Sequence, residues 1–232
     1  RIIDPAGGSW CLDALTGELA ACAWQRLAEL DAAGGMAEAL RSGLLAERLA
    51  ATRRARETLL RTRARPVLGV SAYPAPVGEA VVAEGSSGML PSRFVPQGDA
   101  APFERLRDAA DGWAAARGGR PRLVLRLLGE PRTAGSAAGL ARSVGEAGGL
   151  EVVVGEAEPG AALALCLGRG VVPTELTAAI EQGHDGRAAF VLVATGTNED
   201  APPSDATAAW LRPESDVVTL LEQLHRALGV LP

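Results

Sequence analysis

Two sequence patterns and one interruption predict an α/β chain in which a helical N-terminal part precedes a parallel, doubly wound sheet. Leucines recur at helical spacing up to residue 66, apolar runs of strand length alternate with helical repeats from residue 122 onward, and a proline-rich stretch separates the two. An apolar share of 47% in 232 residues is ample for a buried core.

Leu12, Leu15, Leu19, Cys22, Ala23, Leu27 and Leu30 outline one amphipathic helix that Gly34-Gly35 closes. A short helix spans Met36 to Arg41 and ends at Gly43. A longer one runs from Leu44 to about Arg63, carries Leu45, Leu49, Leu59 and Leu60, and stops before Pro66. Val67 to Val70 reads as a brief buried strand or an extended segment. From Tyr73 to Pro102, Pro74, Pro76, Pro91, Pro96 and Pro102 stand among Gly and Ser, a composition that marks a linker between two units. Phe103, Leu106, Ala110 and Trp113 give a helix leading into the second unit.

That unit reads as strand 122–128, a helix from about Ser136 to Ala147, strands 150–154 and 161–167, and a helix near Thr174 to Gln182. Strand 188–194, a short strand at 208–211 and a helix from Asp216 to Leu228 complete it. Two connections do not suit a parallel sheet. Gly155 to Gly160 is shorter than the roughly dozen residues of an ordinary crossover, so either a helix has been deleted there or one strand is misread. The segment Thr195 to Thr207, with Pro202-Pro203 inside it, puts loop where a helix is expected.

The formal charge of −5 and a pI near 5.2 supply no general field for nucleic acid or an anionic membrane, and neither is expected as a partner. No apolar run approaches a membrane span. Cys11, Cys22 and Cys166 form no CxxC pair and leave one cysteine over, which points to a reducing, cytoplasmic setting and to no metal site. On one helix Cys11 and Cys22 would stand about 16 Å apart, too far for a disulfide.

Chemistry in a parallel sheet is sought beyond the carboxyl ends of the strands, and there Glu130-Pro131-Arg132-Thr133-Ala134-Gly135 follows the first strand. Gly168-Arg169-Gly170 has Pro173 where a dinucleotide fingerprint needs its third glycine. His184, in Gly183-His184-Asp185-Gly186, precedes a strand and so sits at the wrong edge, where a polar turn is the simpler reading. His225, near the end of the last helix, suits the helix dipole as a partly positive group. No Ser-His-Asp or paired-carboxylate set is present, and no catalytic residue is assigned. Arg48, Arg53, Arg54, Arg56, Arg61, Arg63 and Arg65 line one helix; a solvated face is the default, and a salt-bridged seam against another subunit or domain is the alternative.

Asp4-Pro5-Ala6-Gly7-Gly8-Ser9-Trp10, followed by Leu15-Thr16 and Leu19-Ala20, resembles the methylmalonyl-CoA mutase family. Ala32-Ala33-Gly34-Gly35-Met36, Arg53-Arg54-Ala55-Arg56 and Gly69-Val70-Ser71-Ala72-Tyr73-Pro74 continue the match in order. Pro102-Phe103-Glu104, with Leu106-Arg107-Asp108 and Arg120-Pro121-Arg122, is similar to the small subunit of heterodimeric members, which binds no cobalamin. The resemblance departs at Trp10-Cys11, which replaces an aromatic pair.

The resemblance implies that residues 1–73 are the C-terminal end of a TIM barrel, 74–102 a linker, and 103–232 a degenerate flavodoxin-like domain of the cobalamin-binding type. Glu130, Arg132 and Gly135 would occupy the positions of the family's Asp-x-His-x-x-Gly motif, with only the glycine kept. A guanidinium offers no lone pair to a metal, so no cofactor is expected on this chain and adenosylcobalamin is expected in the large catalytic partner of the isomerase. The rest of the barrel would lie upstream of Arg1, which makes the chain the C-terminal portion of a longer protein or a naturally split product. The other reading is a binding module that keeps weak affinity for cobalamin or another anion.

Overall fold

The computed structural model describes residues 6–74, 98–185, 188–195 and 209–232. They fall into two compact units that divide between Arg56 and Glu57. Residues 75–97, most of the stretch read as a linker, lie outside the described residues, as does the connection 196–208.

The first unit is helical. α1 (Trp10–Ala32) ends where Gly34 and Gly35 take left-handed φ values of 96° and 84°, a geometry glycine adopts without a Cβ clash. α2 (Gly35–Arg41) follows, and α3 (Leu44–Arg61) begins after Gly43. Glu29 of α1 accepts a 2.7 Å hydrogen bond from Arg48 of α3, which holds its carboxyl below the usual range. The helix expected from the leucine spacing forms, but its apolar residues are only weakly gathered on one face and none is buried among the described residues. Leu19 is 63% and Trp24 72% exposed.

The second unit starts with the last turn of α3. Arg61 donates to Asp216 (2.9 Å) and to the Thr219 hydroxyl (2.7 Å), and Leu60 is buried. Arg63, at a left-handed φ of 58°, donates to Ser143 at 2.7 Å. These two arginines therefore tie the helix end to other elements, where the sequence suggested a solvated face. Val67 to Val70, read as strand or extended, is instead a tight turn: the amides of Val70, Ser71 and Ala72 all converge on the Val67 carbonyl, and the buried Ser71 hydroxyl accepts from Val67 N–H at 2.9 Å.

α4 (Ala101–Arg117) leads to β1 (Arg122–Leu128), α5 (Pro131–Ala147), β2 (Glu151–Val154), β3 (Ala162–Leu167), α6 (Pro173–His184), β4 (Phe190–Thr195), β5 (Ala209–Leu211) and α7 (Val217–Ala227). The five strands form one parallel sheet in the order β2-β1-β3-β4-β5. On one face Leu123, Leu125, Ala162, Ala164, Cys166, Leu192 and Ala194 pack under α4, α5 and α7; on the other Val124, Leu163, Leu165, Val191 and Val193 meet α6. Burial of Cys166 pushes its thiol up to about 12, as expected of a core residue rather than a nucleophile.

The short β2–β3 connection resolves in favour of a missing helix. Both strands are real, parallel and on opposite sides of β1. Val154 is level with Leu125 and Ala162 with Leu123, so the chain must cross about 10 Å and return about 7 Å, which seven extended residues span easily. A β2 of four residues makes the helix dispensable. On the α6 face of β1 stands Arg126, paired with Glu156 of that connection at 3.6 Å and bonded to Gln182 of α6 at 3.3 Å.

Candidate functional site

The sheet changes its winding direction at β1 and β3: α5 leaves β1 toward one face, and α6 leaves β3 toward the other. In open parallel sheets the crevice beyond such a switch point is where ligands sit. The candidate residues Glu130, Arg132 and Gly135 lie at this edge, but not on a free loop. Helix α5, expected from Ser136, begins five residues earlier at Pro131. Proline's fixed φ suits the first helical position, where a backbone N–H would have no partner, and extended Glu130 (φ −66°, ψ 122°) acts as the N-cap residue. Arg132 is thereby the second residue of the helix and Gly135 the fifth; both are exposed.

Thr133 was not singled out from the sequence, yet it joins the two loops. Its hydroxyl donates to the Glu130 carbonyl (3.1 Å) and accepts from Arg169 N–H (2.8 Å), and it also lies 3.3 Å from the Glu130 carboxylate. A Ser or Thr two residues into a proline-started helix was the available signal. Among the described residues no ion pair joins Glu130 to Arg132.

Other candidates separate from this edge. His184 ends α6, before β4 and so at the opposite edge. His225 corrects the sequence reading: it is fully buried, its Nε2 lies 3.0 Å from the Gly148 carbonyl, and its Nδ1 has no partner. Burial drives its pKa down, with the Gly148 bond opposing in part, so the ring is a neutral core group and not a cation at a helix end. Among the described residues no three His, Cys, Asp or Glu side chains converge as a metal site, and no helix is long and apolar enough to cross a membrane.

A family model described as methylmalonyl-CoA mutase matches residues 1–84. The methylmalonyl-CoA mutase small subunit of Streptomyces virginiae is 39% identical over 129 residues, 56% of this chain and 21% of the relative. Over these segments the chain is similar to the methylmalonyl-CoA mutase family. A probable small subunit from Mycobacterium tuberculosis strain H37Rv is 41% identical over 131 residues, 56% of this chain and 20% of that protein. The S. virginiae large subunit matches at 43% over 79 residues, 32% of this chain and 10% of its own length. The chain thus spans about a fifth of the curated small subunits it matches. An alignment of 129 residues cannot fit within 84, so likeness to small subunits extends beyond the segment that the family model covers.

Cobalamin, the group the family implies, finds no fit in the residues at this edge. Arg132, which the resemblance sets at the axial-ligand position, carries a guanidinium with no lone pair for cobalt. The neighbouring loops also approach closely: a Cβ on Gly129 would meet the Arg169 carbonyl at 2.7 Å and Val171 at 2.6 Å.

Proposed function

We propose that this chain is the C-terminal portion of the small, non-catalytic subunit of an adenosylcobalamin-dependent methylmalonyl-CoA mutase, where it supports assembly and stability of the large catalytic subunit. The observation that carries the reading is the carboxyl edge of the sheet, which offers a guanidinium and no metal-ligating set where a cobalamin domain needs an imidazole. Small-subunit names among the relatives agree with it. So does the strand order 2-1-3-4-5, the flavodoxin-like order, here with one crossover helix gone.

In this reading residues 1–73, which hold α1 to α3, are the end of a TIM barrel. The exposed large apolar residues of α1 support it, because so many on one helix seldom face water in a finished domain. Cobalamin resides in the large subunit, which interconverts methylmalonyl-CoA and succinyl-CoA in the cytoplasm. The test is reconstitution. Purified chain should take up no adenosylcobalamin and show no mutase activity, while a large subunit produced without its partner should gain stability or activity when the chain is added. Mutase activity from this chain alone, or no effect of the chain on the large subunit, would end the proposal.

A further inference from the structure

At a switch point the loops from adjacent strands should part, and here they stay bonded. β1 and β3 pair to their ends at Leu128 and Leu167. Pairing then runs on: Gly168 N–H donates to the Leu128 carbonyl at 2.8 Å, and Glu130 N–H donates to the Arg169 carbonyl at 3.0 Å. Thr133 adds the third tie described above. The main chains touch so closely that a Cβ on Gly168 would lie 2.4 Å from the Glu130 carbonyl oxygen and 2.9 Å from the Ala134 nitrogen. Backbone cannot yield there as the tip of a side chain would.

We infer that the missing imidazole is not what bars a corrin from this domain: the crevice itself is sealed by main-chain contact between 128–134 and 168–171, so restoring the aspartate and histidine would create no cobalamin site. The inference rests on the proposed alignment of Glu130 and Arg132 with the family's ligand motif. It follows from placement as well as from space. A histidine at 132 would ride on the first turn of α5, which Pro131 and the Thr133–Arg169 bond fix in position, and not on a loop free to reach over the strand ends.

The test compares the full chain with its Glu130→Asp/Arg132→His variant. Equilibrium dialysis against adenosylcobalamin, with absorbance read for displacement of the nucleotide base by a protein imidazole, should show no saturable uptake by either protein at millimolar ligand. Hydrogen exchange of the unmodified chain should show the amides of Glu130, Gly168 and Arg169 protected to the same degree as those of Leu165 and Val193. Saturable binding by the variant alone would overturn the sealed crevice while leaving the non-binding reading of the natural chain intact. Binding by the natural chain would remove that reading too. Exchange of the three amides at open-loop rates would overturn the seal whatever the variant does.

Discussion

α1 and β3 are both rich in apolar side chains, and only β3 buries them. Every residue of Ala162–Cys166 is sealed between two layers of helix, whereas Leu12, Leu15, Leu19 and Leu27 of α1 face outward. The contrast separates a unit that closes its own core from a helix whose apolar residues stay exposed. Periodicity records which face of a helix is apolar; it does not record whether the partner is in the same chain.

The largest expected effect that sharpens this contrast is a pair of truncations. Leu165→Ala should cost about 2–5 kcal/mol in denaturant unfolding, because a close-packed site collapses only partly around the lost methyls. Leu19→Ala in the same chain should stay within about 0.5 kcal/mol, as for other exposed positions. Equal losses would mean that α1 has a core of its own.

Two glycines of the sealed edge should respond with opposite signs. Gly168→Ala forces backbone apart and should lower stability by about 1–3 kcal/mol, an overpacking cost. Gly135→Ala adds a methyl that meets nothing within 4 Å in a helix, and should raise stability by up to about 1 kcal/mol. Thermal melts of the two variants check both.

His225 sharpens the same contrast through pH. Its folded pKa is lowered, so the unfolded chain takes up the proton more readily; the stability it contributes is present above the unfolded value of about 6.5 and declines as pH falls below it. The melting temperature should drop between neutral pH and the mid-fives, and His225→Gln should flatten that slope. An unchanged slope in the variant would show that the ring does not titrate as the burial implies.

A smaller change concerns the helix end that clamps the sheet unit. Partial burial favours protonation of Asp216, but hydrogen bonds from Thr219 N–H, Arg61 and the Thr219 hydroxyl outweigh it and lower its pKa. Arg61→Ala should therefore cost about 1 kcal/mol near neutrality and less as pH falls through the folded pKa of Asp216, where the carboxylate is lost in both proteins and only the bond to the Thr219 hydroxyl distinguishes them. Denaturant midpoints for both proteins at pH 7 and pH 3 measure it.

The element order was legible because β1 to β3 are largely apolar runs flanked by glycine or proline, and α1 to α3 end within about two residues of the positions read from the sequence. The start of α5 was not. A charged, proline-containing segment reads as loop until one sees that Pro131 is ideal at a first helical turn and that Thr133 has a partner in Arg169, a contact 36 residues away that no local pattern holds. His225 was misread for the same reason: position along a helix suggested a dipole role, while the deciding fact, its bond to Gly148, is tertiary. The β2–β3 connection posed a choice that sequence left open, and register settled it.

The proposed role of this chain requires that it act through another subunit. Analytical ultracentrifugation of the chain mixed with the large, adenosylcobalamin-carrying mutase subunit tests this directly. The expected result is a single boundary that contains both polypeptides and the cobalamin absorbance of the large one; separate sedimentation of the two at micromolar concentration would contradict it.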